Sequence, residues 1–234
     1  MRVILIHIIV ALLLGFWPNG IAAQEGEFRS LESYHSILLK GNWDVVLEQG
    51  TEPSIRLAAQ DPATLDKVEM LVQHDQLRLV YKGEANKEWK DHPRIKAYLV
   101  YPSLSGIDVE GKLLVEGLST INAEHFELKI EGYVKGELAI VSTTCDVDLQ
   151  GYFRLKLSGE TQHFDLAMEG FGKVWASHLA SQTANVSMEG MATAYVHATE
   201  DLYGRVEGLA KLGYTGDPKQ KKIVKEGIIL VSKR

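Results

Sequence analysis

The chain has 234 residues, 45% hydrophobic and 24% charged, enough for one large domain or two small ones. Its net charge of −6 gives no general attraction for nucleic acid, which needs a clustered basic surface. The single cysteine, Cys145, leaves no intramolecular disulfide and too few thiolates for a zinc ribbon or an iron–sulfur cluster.

Arg2 supplies a short basic start, and Val3 to Phe16 form an apolar stretch interrupted only by His7. Trp17-Pro18-Asn19-Gly20 breaks any helix, and Ile21-Ala22-Ala23 precedes Gln24. This order predicts a secretory signal peptide over residues 1–23, cleaved between Ala23 and Gln24. The alternative is a membrane anchor, but a stretch of fourteen residues reaches only about 21 Å, short of a ~30 Å hydrocarbon core. No later stretch is apolar enough to span a bilayer. Residues 24–234 are therefore expected as one exported domain without a membrane span.

From Ser33 onward the pattern is one of short alternating runs. Tyr34 to Leu39, Trp43 to Glu48, Ser54 to Ala59, Gln76 to Lys82 and Arg94 to Tyr101 predict strands, divided by Gly- and Pro-containing turns. Asp61 to Met70 reads as a loop or one short helix. Gly83 to Pro93, charged and carrying Trp89, reads as an exposed excursion. These N-terminal strands occupy residues 28–102.

Residues 103–218 repeat. Six segments share the form apolar, any, apolar, Glu or Gln, Gly, ending at Gly111, Gly132, Gly151, Gly170, Gly190 and Gly208. The last is imperfect, with Gly204 in its first position. The glycines step by 21, 19, 19, 20 and 18 residues. Such a period marks a solenoid. Leucine-rich repeats need an Asn ladder that is missing, and helical repeats need a 3.6-residue rhythm. The two-residue alternation predicts an all-β fold, a right-handed parallel β-helix with rungs of about nineteen residues. An irregular β-sandwich is the alternative. Residues 219–234 are left as a C-terminal strand or tail, with the basic stretch from Asp217 to Lys225 read as solvated.

In each segment the first and third residues should face the core and the second and fourth the solvent. The fourth position gives a column of Glu110, Glu131, Gln150, Glu169, Glu189 and Glu207. It reads either as a solvated acidic face or as a row of weak divalent-cation sites. The residue after each glycine gives a second column: Lys112, Tyr133, Tyr152, Phe171, Met191 and Leu209. Large rings in solenoids usually pack inside, so this column is expected in the core; an exposed row that could stack on sugars is the other reading. Trp175 and Tyr195 share that ambiguity.

Catalytic signals are weak. Asp108 with Glu110, and Asp146 with Asp148, share strand faces, but such pairs are inevitable in this architecture. No Gly-x-Ser-x-Gly elbow or phosphate loop occurs. The histidines beyond His7 (His35, His74, His92, His125, His163, His178 and His197) are scattered, and Cys145 reads as a small apolar residue. No enzyme, cofactor or catalytic residue is expected.

The chain resembles the putative auto-transporter adhesin head GIN domain family. The resemblance rests on Tyr34-His35-Ser36-Ile37 through Gly41, Trp43 to Gly50, Leu77-Arg78-Leu79, Tyr98 to Leu104, Ile107 to Gly111, and Tyr214-Thr215-Gly216-Asp217-Pro218. It implies a signal peptide, a β-helical fold, no established catalytic residues and an origin in a Gram-negative bacterium. The expected role is a non-enzymatic interaction module in the periplasm, on the cell surface or secreted, with a cell-surface polymer or envelope protein as partner. A carbohydrate-active β-helical enzyme and a calcium-binding structural envelope protein are the alternatives.

Overall fold

The computed structural model describes residues 24–83 and 89–234. The expected signal segment lies outside the described residues, and Gln24, beyond its cleavage point, opens the first strand. Among the described residues no helix is long and apolar enough to cross a membrane.

The chain is nearly all β. Among the described residues eleven strands form one open sheet, with two short 3-10 turns at Pro62–Lys67 and Trp89–Asp91. The N-terminal part contains β1 (Gln24–Glu25), β2 (Arg29–Ser30), β3 (Ser36–Gln49), β4 (Ser54–Ala59), β5 (Val68–Gln73), β6 (Gln76–Tyr81) and β7 (Ile95–Tyr101). The remainder is β8 (Gly106–Gly117), β9 (Ile121–His197), β10 (Asp201–Thr215) and β11 (Gln220–Lys233). The expected strand at Ser54–Ala59 has those limits. Two expected strands, either side of Gly41-Asn42, run together as β3. The stretch from Asp61 to Met70, expected as a loop or one short helix, contains a 3-10 turn capped by Asp61, whose side chain accepts from the Ala63 backbone N–H at 3.1 Å, and then the start of β5.

Two pairing regimes meet at β3. In the N-terminal part β4 pairs antiparallel with β7, and β5 with β6. The first half of β3 pairs parallel with β6 and its second half with β7, while its other edge pairs with β8 along its length. From β8 to β11 the strands pair in parallel: Gly111 opposite Gly132, Gly208 opposite Gly190, and Gly208 opposite Gly227. The basic stretch read as a solvated tail thus runs into β11, held along β10 by a register that starts at Asp201 opposite Gln220. Its lysines sit on the exposed side of a paired strand, where charge discourages further strand addition.

Apolar residues at two-residue spacing build the core. Ile107, Val109, Leu113 and Val115 are buried while Glu110 between them is exposed. Phe126, Phe153 and Phe164 are fully enclosed, each burial contributing about 1.5–3 kcal/mol. At the N-terminal end Tyr34, Trp43 and Tyr101 close the core, with the Tyr34 hydroxyl donating to Val100 O at 3.1 Å and the Trp43 indole N–H to Lys40 O at 3.0 Å.

The repeat glycines lie in one file, each against the carbonyl of its predecessor from Gly41 through Gly111, Gly132, Gly151, Gly170, Gly190 and Gly208 to Gly227. All eight have positive φ, from +95° to +134°, a region that L side chains rarely adopt. A Cβ at Gly151 would collide with the Gly132 carbonyl oxygen. Conformation and space therefore demand the same residue.

Gly151→Ala should cost about 2–4 kcal/mol, since it adds strain to a backbone collision. Gly204→Ala, outside the positive-φ region and facing only the Ile223 and Leu212 side chains at 3.3–3.5 Å, should stay within about 1 kcal/mol. Urea unfolding of the two variants checks this; equal losses would contradict it.

Candidate functional site

The glycine file divides the outward side chains into two faces. Before it stands the acidic column. Glu110 is in register with Glu131, and Glu189 with Glu207, which in turn pairs with Glu226. At its lower end Lys40 Nζ meets Glu110 Oε1 at 2.5 Å; further along, Lys129 reaches Glu131 at 3.4 Å and Arg205 reaches Glu207 at 2.5 Å. Gln150 and Glu169 are exposed between them. Exposed pairs of this kind contribute little to stability. Among the described residues no three His, Cys, Asp or Glu side chains gather into a group able to hold a metal ion.

Further back on the same face lies a groove of about 500 Å³, lined in part by Asp146, Asp165, Asn185, Tyr203 and Lys222. The sequence pairs Asp146 with Asp148 along one strand; the structure also brings Asp165, nineteen positions on, close enough to act on the Asp146 carboxyl. Asn185 Nδ2 donates to Asp165 Oδ1 at 2.5 Å, and His125 Nε2 lies 3.7 Å from Asp146. Burial is the largest cause raising the Asp146 pKa; His125 opposes it, and Asp165 and Glu127 add to it. Asp108 is raised in the same way, by burial first, against the pull of Lys129. The pair stands on an open strand face.

After the glycine file the expectation of a packed column fails. Phe171, Met191 and Leu209 are 52%, 53% and 51% exposed. The reason is parity. The bulk of the rings argues for an inward place, but the glycine itself already occupies an inward position. Val109, Gly111 and Leu113 share one side, so the residue between glycine and the next core residue points outward. Tyr133 stacks on Tyr152 at 5.1 Å with planes 7° apart, and Tyr152 on Phe171 at 5.6 Å and 28°. The rings thus turn their faces to one another and their edges to solvent. Met191, Leu209 and Ile228 extend the ridge.

Beside the ridge runs a row that sequence reasoning passed over, although its signal was available: the third residue after the glycine is Lys135, Arg154, Lys173 and Lys211 in four segments. The fifth position holds Trp175 and Tyr195. Lys173 Nζ sits 4.3 Å from the Trp175 ring and 4.9 Å from that of Tyr195, and the Arg234 guanidinium lies 4.1 Å from Tyr195. These cations cover Tyr195, which is buried, and leave Trp175 half-buried. Between ridge and cations is a groove of about 570 Å³, lined in part by Phe171, Lys173, Trp175, Met191, Leu209 and Lys211.

The remaining candidates stay apart. The histidines join no metal group among the described residues. Cys145 is buried, and burial pushes its thiol up to about 12, which keeps it protonated and a poor nucleophile at neutral pH.

The acidic pair gives a measurable sign. A carboxyl raised in the folded state binds more protons than in the unfolded chain, so stability falls as pH climbs from the ordinary value of 3.8 through the raised one. That deficit persists at neutral pH. Asp146→Asn should therefore raise the Tm at pH 7, with the gain vanishing below about pH 3.8. An unchanged or lower Tm at pH 7 would contradict the assignment.

Comparison with known proteins places the chain. The family described as "Putative auto-transporter adhesin, head GIN domain" matches residues 33–218. A putative adhesin from Bacteroides fragilis NCTC 9343 superposes with a TM-score of 0.79 at 19% identity, covering 94% of this chain and 100% of that one. A putative adhesin from Parabacteroides merdae ATCC 43184 gives 0.59 at 15% identity, covering 91% and 96%. A putative lipid binding protein from Parabacteroides distasonis ATCC 8503 gives 0.59 at 17%, covering 89% and 96%. At these identities the likeness is one of fold. No curated protein matches the chain. The family match spans well over half the sequence, and the chain belongs to the auto-transporter adhesin head GIN domain family.

Proposed function

We propose that this protein is an exported, non-enzymatic interaction module that contacts a component of the cell envelope through the face that follows the glycine file. The observation carrying this reading is the exposed ridge from Tyr133 to Leu209 with a row of cations beside it. A monomeric soluble protein rarely leaves so large an apolar strip to water unless something covers it. Membership of an adhesin-like family supports a surface or exported setting.

The architecture that presents this face is, in our reading, a right-handed parallel β-helix of about nineteen-residue rungs. Three observations support it: the glycine file, the in-register parallel pairs, and side-chain bonds that span nineteen residues, such as Ser142 to Thr161 and Lys156 to Glu137. Residues 1–23 act as the signal peptide, and 24–234 form the exported domain. The compartment is the periplasm, the cell surface or the medium. Binding is geometric, with side chains held in columns by the backbone.

Two measurements test this. N-terminal sequencing of protein recovered from outside the cytoplasm should begin at Gln24; a chain still starting at Met1 would remove export. The Phe171→Ser, Met191→Ser, Leu209→Ser variant alters only exposed positions and should fold as the parent does. Its retention on isolated cell envelopes should drop about tenfold or more, the equivalent of at least 1.4 kcal/mol. Retention equal to that of the parent would contradict the choice of face.

A further inference from the structure

We infer that the face following the glycine file docks on an anionic lipid surface, an inference that rests on the contact face proposed above and names its occupant. The charge distribution is the first ground. Across the segments from Gly151 to Gly208, the first, third and fifth residues after each glycine include no carboxylate. Arg154, Lys173 and Lys211 have no carboxylate partner among the described residues. Over the same segments the face before the file carries Asp146, Asp148, Asp165, Glu169, Glu189 and Glu207. In a chain of net charge −6, an anionic surface repels the molecule as a whole and attracts this one side, which sets its orientation.

The second ground is the ridge itself. Tyr133, Tyr152 and Phe171 spend their ring faces on one another, and the Trp175 and Tyr195 faces carry Lys173. A sugar needs an open ring face and hydrogen-bonding groups nearby. From Phe171 through Met191 and Leu209 to Ile228 the ridge has no polar side-chain atom and is more than half exposed. Hydrocarbon is the environment that suits it. Aliphatic and aromatic side chains flanked by Lys and Arg are the combination that seats a protein at the boundary between headgroups and acyl chains.

The third ground is shape. Thr193 takes the cation position between Lys173 and Lys211, so the row has a gap about two strand spacings wide, roughly 9.6 Å. The groove of about 570 Å³ opens at this gap. An acidic headgroup there meets an ammonium on either side while its acyl chain lies against Met191 and Leu209.

The test is co-sedimentation of the exported protein, its N terminus verified, with vesicles of phosphatidylcholine alone and of phosphatidylcholine mixed with phosphatidylglycerol. Binding to the mixed vesicles should exceed that to phosphatidylcholine by tenfold or more and should weaken as salt is added. The Arg154→Gln, Lys173→Gln, Lys211→Gln variant should lose that preference. A Glu131→Gln, Glu169→Gln, Glu189→Gln variant, changed on the opposite face, should keep it. Equal binding to both vesicle types, or none, overturns the lipid assignment. Tighter binding to a soluble acidic polysaccharide such as alginate, lost in the cation variant, overturns it in favour of a glycan. If vesicles fail while the serine variant still loses envelope retention, the contact face stands and only the lipid falls; if both assays are unmoved, both fall.

Discussion

One contact governs this structure: a glycine seated against the carbonyl of the glycine one segment earlier, made seven times along a file of eight. With positive φ throughout the file and no room for a Cβ from Gly111 to Gly227, neighbouring segments cannot slide past one another without driving a side chain into backbone. A one-residue slip would also turn every apolar residue outward. The file therefore acts as a register lock, and the columns of side chains on either side follow from it.

That lock explains how opposite chemistries coexist a few residues apart. The residue before each glycine and the residue after it both face outward, separated by a backbone bend. Selection at the first position yields Glu or Gln in six segments, and at the second yields Tyr, Phe, Met or Leu in five. Each choice is copied along the file, so a preference at one position becomes a stripe. The result is a molecule with an acidic side and a basic, apolar side, although its overall charge is modest.

Much of this was legible in the sequence, for a physical reason: a two-residue period and a positive-φ glycine leave local marks. The strand at Ser54–Ala59, the inward and outward positions before each glycine, and the family itself could be read directly. Two members of the file were hidden. Gly41 follows Lys40 where the other segments have Glu or Gln, and it stands seventy residues from Gly111 because β4 to β7 intervene. Gly227 follows Ile223-Val224-Lys225-Glu226, in which a lysine interrupts the apolar pattern. The ridge was misplaced because its large rings were expected to pack inside, whereas the alternation runs straight through the glycine and turns them outward. The Asp146–Asp165 pair was missed for another reason: its members lie nineteen residues apart and meet only once the register is known.

The most direct test of the register lock is a disulfide measured between introduced cysteines, with Cys145 left buried and protonated. Tyr133→Cys with Tyr152→Cys places two thiols on adjacent segments, about 4.8 Å apart between backbones, within bridging range. Tyr133→Cys with Phe171→Cys places them about twice as far apart, beyond it. Mild oxidation should cross-link the first pair almost completely and leave the second reduced. A first pair that stays reduced, or a second that closes equally well, would contradict the stacked register on which every column described above depends.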